Sequence, residues 1–137
     1  MIGETRSLPD DLDVLAPDGS EVRILLARPG GSMAHFRLPQ GQVSQAVRHR
    51  SVEEIWYVLS GSGEMWQSDS AASATFPLRA GVCVTIPVGA AFQFRSLGSE
   101  ALTAVAVTMP PWPGDAEAEP VAGPWEPRHK SLNKADP

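Results

Sequence analysis

Two side chains able to do chemistry, His49 and Glu54, lie five residues apart in this chain. An imidazole and a carboxylate are both ligands for transition metals. The same pair can also move protons, because a carboxylate beside an imidazole fixes its tautomer and raises its basicity. Alternation along two predicted strands places Val47 and His49 on one face, and Glu54 and Trp56 on a face of the next strand. We therefore take His49 and Glu54 as the candidate catalytic pair.

The elements that must position this pair are short strands separated by turns. Glycine and proline contribute 12 and 13 of the 137 residues, and no useful stretch has the period of an amphipathic helix. Such a pattern is typical of a β-sandwich or barrel. The small, polar residues 68–75 are expected to form a flexible loop. Strands are predicted at 13–15, 21–26, 33–38, 44–49, 54–59, 63–67, 82–86, 91–94 and 101–107.

The residues around the pair resemble the two sequence motifs of the cupin superfamily, which are small β-barrels that often hold a metal. Gly41, His49, Glu54 and Gly61 stand at the spacing of the first motif. The second motif, a glycine, five residues and Pro-x-Gly, matches residues 81–89. The glycines serve the backbone, since tight corners need φ angles that other residues resist.

The resemblance implies an all-β fold, a cupin-type jelly-roll barrel made of two antiparallel sheets. The matching part of the chain covers about residues 33–108, and we expect the barrel to span residues 13–108. Residues 1–12 are expected to form an N-terminal arm that contributes little to the core.

The chain after the barrel has a different composition. Seven prolines follow Val107, which predicts an irregular tail at 109–137 with no strand or helix. Trp112 and Trp125 need apolar surroundings, which we expect on the barrel or on a partner subunit. From Arg128 onward the tail is predicted to be disordered.

The resemblance also implies that the metal site of the superfamily is incomplete here. His49 and Glu54 match two of its ligands, but Val47 replaces the first histidine and Phe92 replaces the last. A catalytic zinc needs about three protein ligands, and a non-haem iron needs two histidines and a carboxylate. The chain is therefore one ligand short.

A third ligand would have to come from Gln45, two alternation steps before His49, or from His35 on the preceding strand. The neighbours of His35, such as Phe36, suggest that the opposite face of that strand is the inner one. No cofactor is therefore certain, and we expect at most a weakly bound divalent metal ion.

Loss of two imidazoles leaves a largely apolar interior with few polar groups, which is the profile of a small-molecule pocket. The pocket is expected to contain Gln45, Val47, Trp56, Phe92 and Phe94. Three hypotheses stay open. The first is a stand-alone cupin that binds a small organic ligand. The second is an enzyme, either a metal-assisted dioxygenase or isomerase or a metal-free epimerase-like isomerase with His49 as base. The third is a structural or dimerisation module in which His49 and Glu54 only hydrogen-bond each other.

Composition argues against several other classes of function. The content of 42% hydrophobic and 20% charged residues is typical of one soluble globular domain. A net charge of −5 with scattered basic residues argues against a nucleic-acid partner. The pattern predicts neither a membrane span nor a signal peptide, and the single cysteine, Cys83, excludes an internal disulfide. We expect a cytoplasmic protein without nucleic-acid or membrane contacts.

The segment 54–59 is apolar on both faces. Trp56 is expected to face the barrel, whereas Ile55, Tyr57 and Leu59 lie on the other face and need cover. Cupins commonly pair through their N-terminal halves, so the resemblance and this second face together predict a homodimer.

Overall fold

The computed structural model describes residues 1–129, whose regular structure is almost entirely β-strand. These residues contain eleven strands and one 3₁₀ turn, Asp115–Glu117, and no helix in them is long and apolar enough to cross a membrane. The strands are β1 (Val14–Leu15), β2 (Glu21–Arg28), β3 (Gly31–Leu38), β4 (Val47–His49), β5 (Glu53–Ser60), β6 (Ser62–Ser68), β7 (Ser73–Arg79), β8 (Cys83–Ile86), β9 (Ala91–Ser96), β10 (Leu102–Met109) and β11 (Ala118–Pro120).

The strands form two antiparallel sheets. The large sheet has the order β1-β2-β3-β10-β5-β8, and the small sheet has the order β11-β4-β9-β6-β7. Every strand pair runs antiparallel, which suits a barrel whose sheets have one buried face each. The predicted all-β class with two antiparallel sheets is confirmed.

The core lies between the two sheets because the period-two alternation commits one face of each strand to it. In β10, Leu102, Ala104 and Ala106 are buried, while the residues between them are half-buried on the outer face. Trp56 from β5 and Phe94 from β9 join the same cluster. The inner faces of both sheets therefore share one apolar core.

The turn after β5 shows why the motif positions are glycines. Gly61 has a φ of 80°, and a Cβ at this position would overlap the carbonyl oxygen of Ala101. Gly81 before β8 has a φ of 93°. Both angles lie in the region that only glycine enters without strain.

The structure corrects the predicted loop at 68–75. β6 continues to Ser68 and β7 begins at Ser73, so that only residues 69–72 connect them. β7 lies at the edge of the small sheet, where Pro77 is tolerated because an edge strand leaves part of its backbone unpaired. Because β7 contains a proline and small polar residues, its sequence lacks the alternation that predicts a strand.

The tail is also more ordered than the sequence predicts. β11 pairs with β4 at the other edge of the small sheet, which places Ala118 opposite His49. Arg128 exchanges two backbone hydrogen bonds of 2.8 Å with Val43. The expectation of no strand in the tail is therefore wrong at Ala118–Pro120, while most of the tail up to residue 129 is irregular. The predicted disorder of residues 130–137 lies outside the described residues.

Candidate functional site

A cavity of about 260 Å³ lies between the inner faces of the two sheets. Most of its wall is apolar, and residues from the β1–β2 turn and from the tail complete it, among them Pro17, Pro111 and Trp112. Ligand pockets usually have volumes of about 300–1,000 Å³, so this cavity suits a small ligand.

His49 closes β4 and faces this cavity. It is 4% exposed, and its ring makes edge contacts with Phe92 and Trp112 at centroid distances of 5.1 Å. Its Nδ1 has no hydrogen-bond partner among the described residues. Burial lowers the pKa of His49 to about 4, although the negative charge of Glu117 acts to raise it. The imidazole is therefore neutral at pH 7.

Glu54 on β5 faces the same cavity and is 3% exposed. Trp56 Nε1 donates a hydrogen bond of 3.1 Å to Glu54 Oε2. Burial raises the pKa of Glu54 to about 8, against this bond and with help from the charge of Asp18. His49 Nδ1 lies 3.9 Å from the same oxygen, which is too far for a hydrogen bond. The direct His–Glu bond of the structural hypothesis is therefore not formed.

Asp18 is a second buried carboxyl group in the cavity wall, and sequence reasoning missed it. Its Oδ1 accepts bonds from the backbone N–H of Ser20 at 2.9 Å and from its hydroxyl at 2.6 Å. Burial raises the pKa of Asp18, although these bonds oppose the shift. Aspartate is common in turns such as the one between β1 and β2, and nothing local indicates that this one points inward.

Glu117, from the 3₁₀ turn of the tail, holds the backbone that follows His49. Its carboxylate accepts bonds from the backbone N–H and the hydroxyl of Ser51, and from Val52 N–H at 2.7 Å. Burial acts to raise the pKa of Glu117, but these hydrogen bonds outweigh it and lower the pKa. The sequence offered no signal for this contact, which joins residues about 65 positions apart.

The cavity wall contains most of the residues that the sequence proposed for the site, namely Val47, His49, Glu54, Trp56 and Phe92. Gln45 lies elsewhere, because its amide donates to the carbonyls of Ala46 and Val121 at 3.0 and 3.1 Å. β4 begins only at Val47, so the alternation does not extend back to Gln45. Phe94 packs edge-on against Trp56 at 4.9 Å and does not line the cavity.

His35 also lies apart from the pair. It is on β3 opposite Val105, on the outer face of the large sheet, and is 7% exposed. Burial lowers its pKa, and the charges of Arg23 and Arg37 lower it further. Neither Gln45 nor His35 therefore joins His49 and Glu54 as a ligand.

The sequence pattern of the cupin domain matches residues 34–108, more than half of the chain. The chain belongs to the cupin family. The predicted jelly-roll barrel and the predicted membership of a small single-domain cupin are thereby confirmed. A comparison with curated protein sequences finds no match.

Solved structures similar to this cupin come from several bacteria. Streptomyces PAC13 with uridine superposes with a TM-score of 0.69 at 15% identity, over 88% of this chain and 92% of that one. KdgF from Halomonas sp. has a TM-score of 0.62 at 18% identity, over 75% and 93% of the two chains. A predicted oxalate decarboxylase from Thermotoga maritima has a TM-score of 0.63 at 19% identity, over 80% and 98%. Identities this low show a shared fold alone.

The residues of this cupin do not fit the metal site that the family often carries. The described part of the chain has no group of three or more His, Cys, Asp or Glu side chains placed to hold an ion. Val47 and Phe92 stand opposite each other on β4 and β9 and present only carbon to the cavity.

Proposed function

We propose that this cupin binds a small organic ligand inside its barrel. The observation that carries the proposal is the cavity of about 260 Å³ with mostly apolar walls and three buried titratable side chains, Asp18, His49 and Glu54. Apolar walls favour binding because they remove ligand carbon from water, and a few polar groups then orient the ligand.

The unpartnered nitrogen of His49 supports a ligand at this place. A buried polar atom without a hydrogen bond costs about 1–3 kcal/mol. His49 Nδ1 is such an atom, and it belongs to a side chain that lines the cavity. A ligand group that bonds to Nδ1 would remove this cost and add to the binding free energy.

Tryptophan signals provide the test. Trp56 and Trp112 line the cavity, whereas Trp66 and Trp125 do not. In a nuclear magnetic resonance (NMR) screen of small organic compounds, binders should shift the indole N–H signals of the first two tryptophans and leave the other two unchanged.

A cavity-filling variant controls for binding elsewhere. Ala106→Leu adds side-chain volume to the wall and should abolish the shifts, and Ala74→Leu on exposed β7 should keep them. Shifts that survive Ala106→Leu, or a broad library without a single cavity binder, would reject the proposal.

One observation favours a second function, metal-free proton transfer. At neutral pH, His49 with a pKa of about 4 is a neutral base and Glu54 with a pKa of about 8 is a protonated acid. Pairs of groups whose environments push their pKa values apart often divide the acid and base roles between them. Such a pair could isomerise a bound ligand by removing and returning a proton.

Deuterium uptake separates turnover from binding alone. A cavity binder incubated with the protein in D₂O should gain mass at a carbon-bound position, and the gain should disappear with His49→Gln. Binding of the same compound without any deuterium uptake would leave ligand binding as the function and reject catalysis.

The outer face of the large sheet supports the predicted homodimer. Ile55, Tyr57 and Leu59 are 42%, 48% and 44% exposed, and Val105 and Val107 lie beside them on β10. A dimer would cover this apolar strip. Light scattering at micromolar concentration should give twice the chain mass, Tyr57→Glu should halve it, and a monomeric wild type would refute the dimer. A cytoplasmic location stays a prediction from the sequence.

A further inference from the structure

We infer that the ligand of this cavity is an organic amine, which places its ammonium group beside Asp18 and Glu54 and its carbon skeleton against the aromatic walls. The inference rests on the proposed binding function and names the ligand class.

The charges of the cavity wall have one sign. The titratable residues that line it are Asp18, His49, Glu54 and, at the exposed rim, Asp115. No arginine or lysine is among the described residues that line it. His129 is not among the residues that line the cavity, although it lies against Gly19 and its charge acts to lower the pKa of Asp18. A buried carboxylate or phosphate ligand needs a cation or several donors to offset its desolvation, so this wall disfavours anions.

When ionised, the two carboxyl groups of the wall only accept hydrogen bonds. Glu54 Oε2 already accepts from Trp56, and Asp18 Oδ1 already accepts twice from Ser20. Each carboxyl group thus keeps one oxygen that these contacts do not use. His49 Nδ1 has no partner in the described residues and accepts a bond when the proton is on Nε2. An ammonium group, which only donates, complements this set.

The aromatic side chains of the wall also suit a cation. Phe36 stacks on Trp56 with a centroid distance of 5.4 Å and an interplanar angle of 8°, while Phe92 and Trp112 contact His49. Aromatic faces attract ammonium groups, and tryptophan attracts them most strongly. The cation in turn favours the ionised carboxylates beside it, since an opposite charge within about 4–6 Å offsets the burial penalty.

Three probes with one skeleton and different charges test the inference. Benzylamine, benzyl alcohol and benzoate are titrated into the full-length protein at one pH and one ionic strength, with the Trp56 and Trp112 indole signals as the readout. We expect benzylamine to bind at least about tenfold more tightly than benzyl alcohol, and benzoate not to bind.

Neutral variants of nearly the same shape locate the charge. Asp18→Asn and Glu54→Gln should each weaken benzylamine binding by about fivefold or more and leave benzyl alcohol binding within about twofold. The matched control is Glu53→Gln, which removes the same charge from the exposed residue beside Glu54 and should leave both affinities unchanged.

The outcomes separate the inference from the proposed function. Equal or tighter binding of benzyl alcohol, or binding of benzoate, would overturn the amine class and leave ligand binding intact. An equal loss with Glu53→Gln would show that net charge attracts the amine, and would also overturn the inference. No binding by any probe at millimolar concentration would count against both proposals. If Glu54→Gln does not fold, the Asp18→Asn variant and the ratio of the wild-type affinities for the three probes still test the amine class.

Discussion

Two histidines are buried, His35 on the outer face of the large sheet and His49 on the inner face of the small sheet. Only His49 faces the cavity. His35 is 7% exposed and His49 is 4% exposed. In both, Nδ1 lacks a hydrogen-bond partner within the described residues, and burial lowers the pKa. By these measures the two residues are nearly equivalent.

Their surroundings differ in charge and in space. Arg23 and Arg37 lower the pKa of His35 further, and His35 is not among the described residues that line the cavity. His49 instead lies near Glu54 and lines the cavity, and the charge of Glu117 acts to raise its pKa. Burial and a missing hydrogen-bond partner therefore do not define a binding site, because complementary charges and room for a ligand are also needed.

The largest effect is expected from rebuilding a metal site on the His49 side. Val47→His combined with Phe92→His adds two imidazoles from directly paired positions that line the cavity with His49. The affinity for Zn²⁺ or Ni²⁺ should rise by at least about 100-fold, because each imidazole adds a ligand at fixed geometry. Calorimetry and metal content after dialysis against a mild chelator measure this, and the wild type should retain much less than one equivalent.

A matched change on the His35 side serves as the control. Val105→His places an imidazole directly opposite His35, where the charges of Arg23 and Arg37 oppose a metal ion, and should raise the affinity much less. No gain in the double variant would show that the inward placement of positions 47 and 92 is wrong. A full equivalent in the wild type would favour the metal-assisted enzyme.

A smaller effect is expected when the hydrogen bonds from Glu117 to the backbone that follows His49 are removed. Glu117→Ala removes the acceptor for Ser51 and Val52, so the free energy of unfolding should fall by about 2–4 kcal/mol. Glu119→Ala, two residues along, removes only exposed contacts to Arg48 and Arg50 and should cost less than about 1 kcal/mol. Urea denaturation measures both free energies of unfolding, and equal losses would show that the hydrogen bonds of Glu117 do not stabilise the fold more than the exposed contacts of Glu119.

Glu54 should give the fold a pH dependence on the alkaline side. Its folded pKa of about 8 lies above the ordinary 4.5, so its contribution to stability is complete below pH 4.5 and is lost as the pH rises through 8. Between pH 6.5 and 9 the free energy of unfolding should fall by about 2 kcal/mol. His49 acts in the opposite sense below pH 6.5, where stability is lost as the pH falls through 4.

Glu54→Gln isolates this contribution. Urea denaturation across the same pH range should show a shallower alkaline loss in the variant than in the wild type. An unchanged pH profile would mean that Glu54 ionises normally in the folded protein.

The smallest effects are opposite shifts of the two imidazoles. Glu117→Gln should lower the pKa of His49 further, because the Glu117 charge raises it. Arg37→Gln should raise the pKa of His35, because the Arg37 charge lowers it. NMR titration of the two rings measures both, and each variant should leave the other histidine unchanged. Shifts of the same sign would remove the electrostatic difference between the two regions.

Much of the fold could be predicted because its signals are local. Turn glycines such as Gly61 and Gly81 indicate positive φ angles, and the alternation of residue types indicates which face of β5 is buried. The strands that were missed, β7 and β11, are both edge strands. An edge tolerates proline and short length, so such a segment shows little of the pattern that identifies a central strand.

The sequence is sufficient to predict the barrel and the inward placement of His49 and Glu54, since both follow from motif spacing along neighbouring strands. It also predicts that two metal ligands are missing, because Val47 and Phe92 have no lone pair to offer. Tertiary contacts, however, bring Asp18 and Trp112 into the cavity wall and place Glu117 where it holds the backbone after His49. These residues come from a turn and a proline-rich tail, and backbone pairing between distant segments, such as β11 with β4, carries no periodic signal that the sequence could reveal.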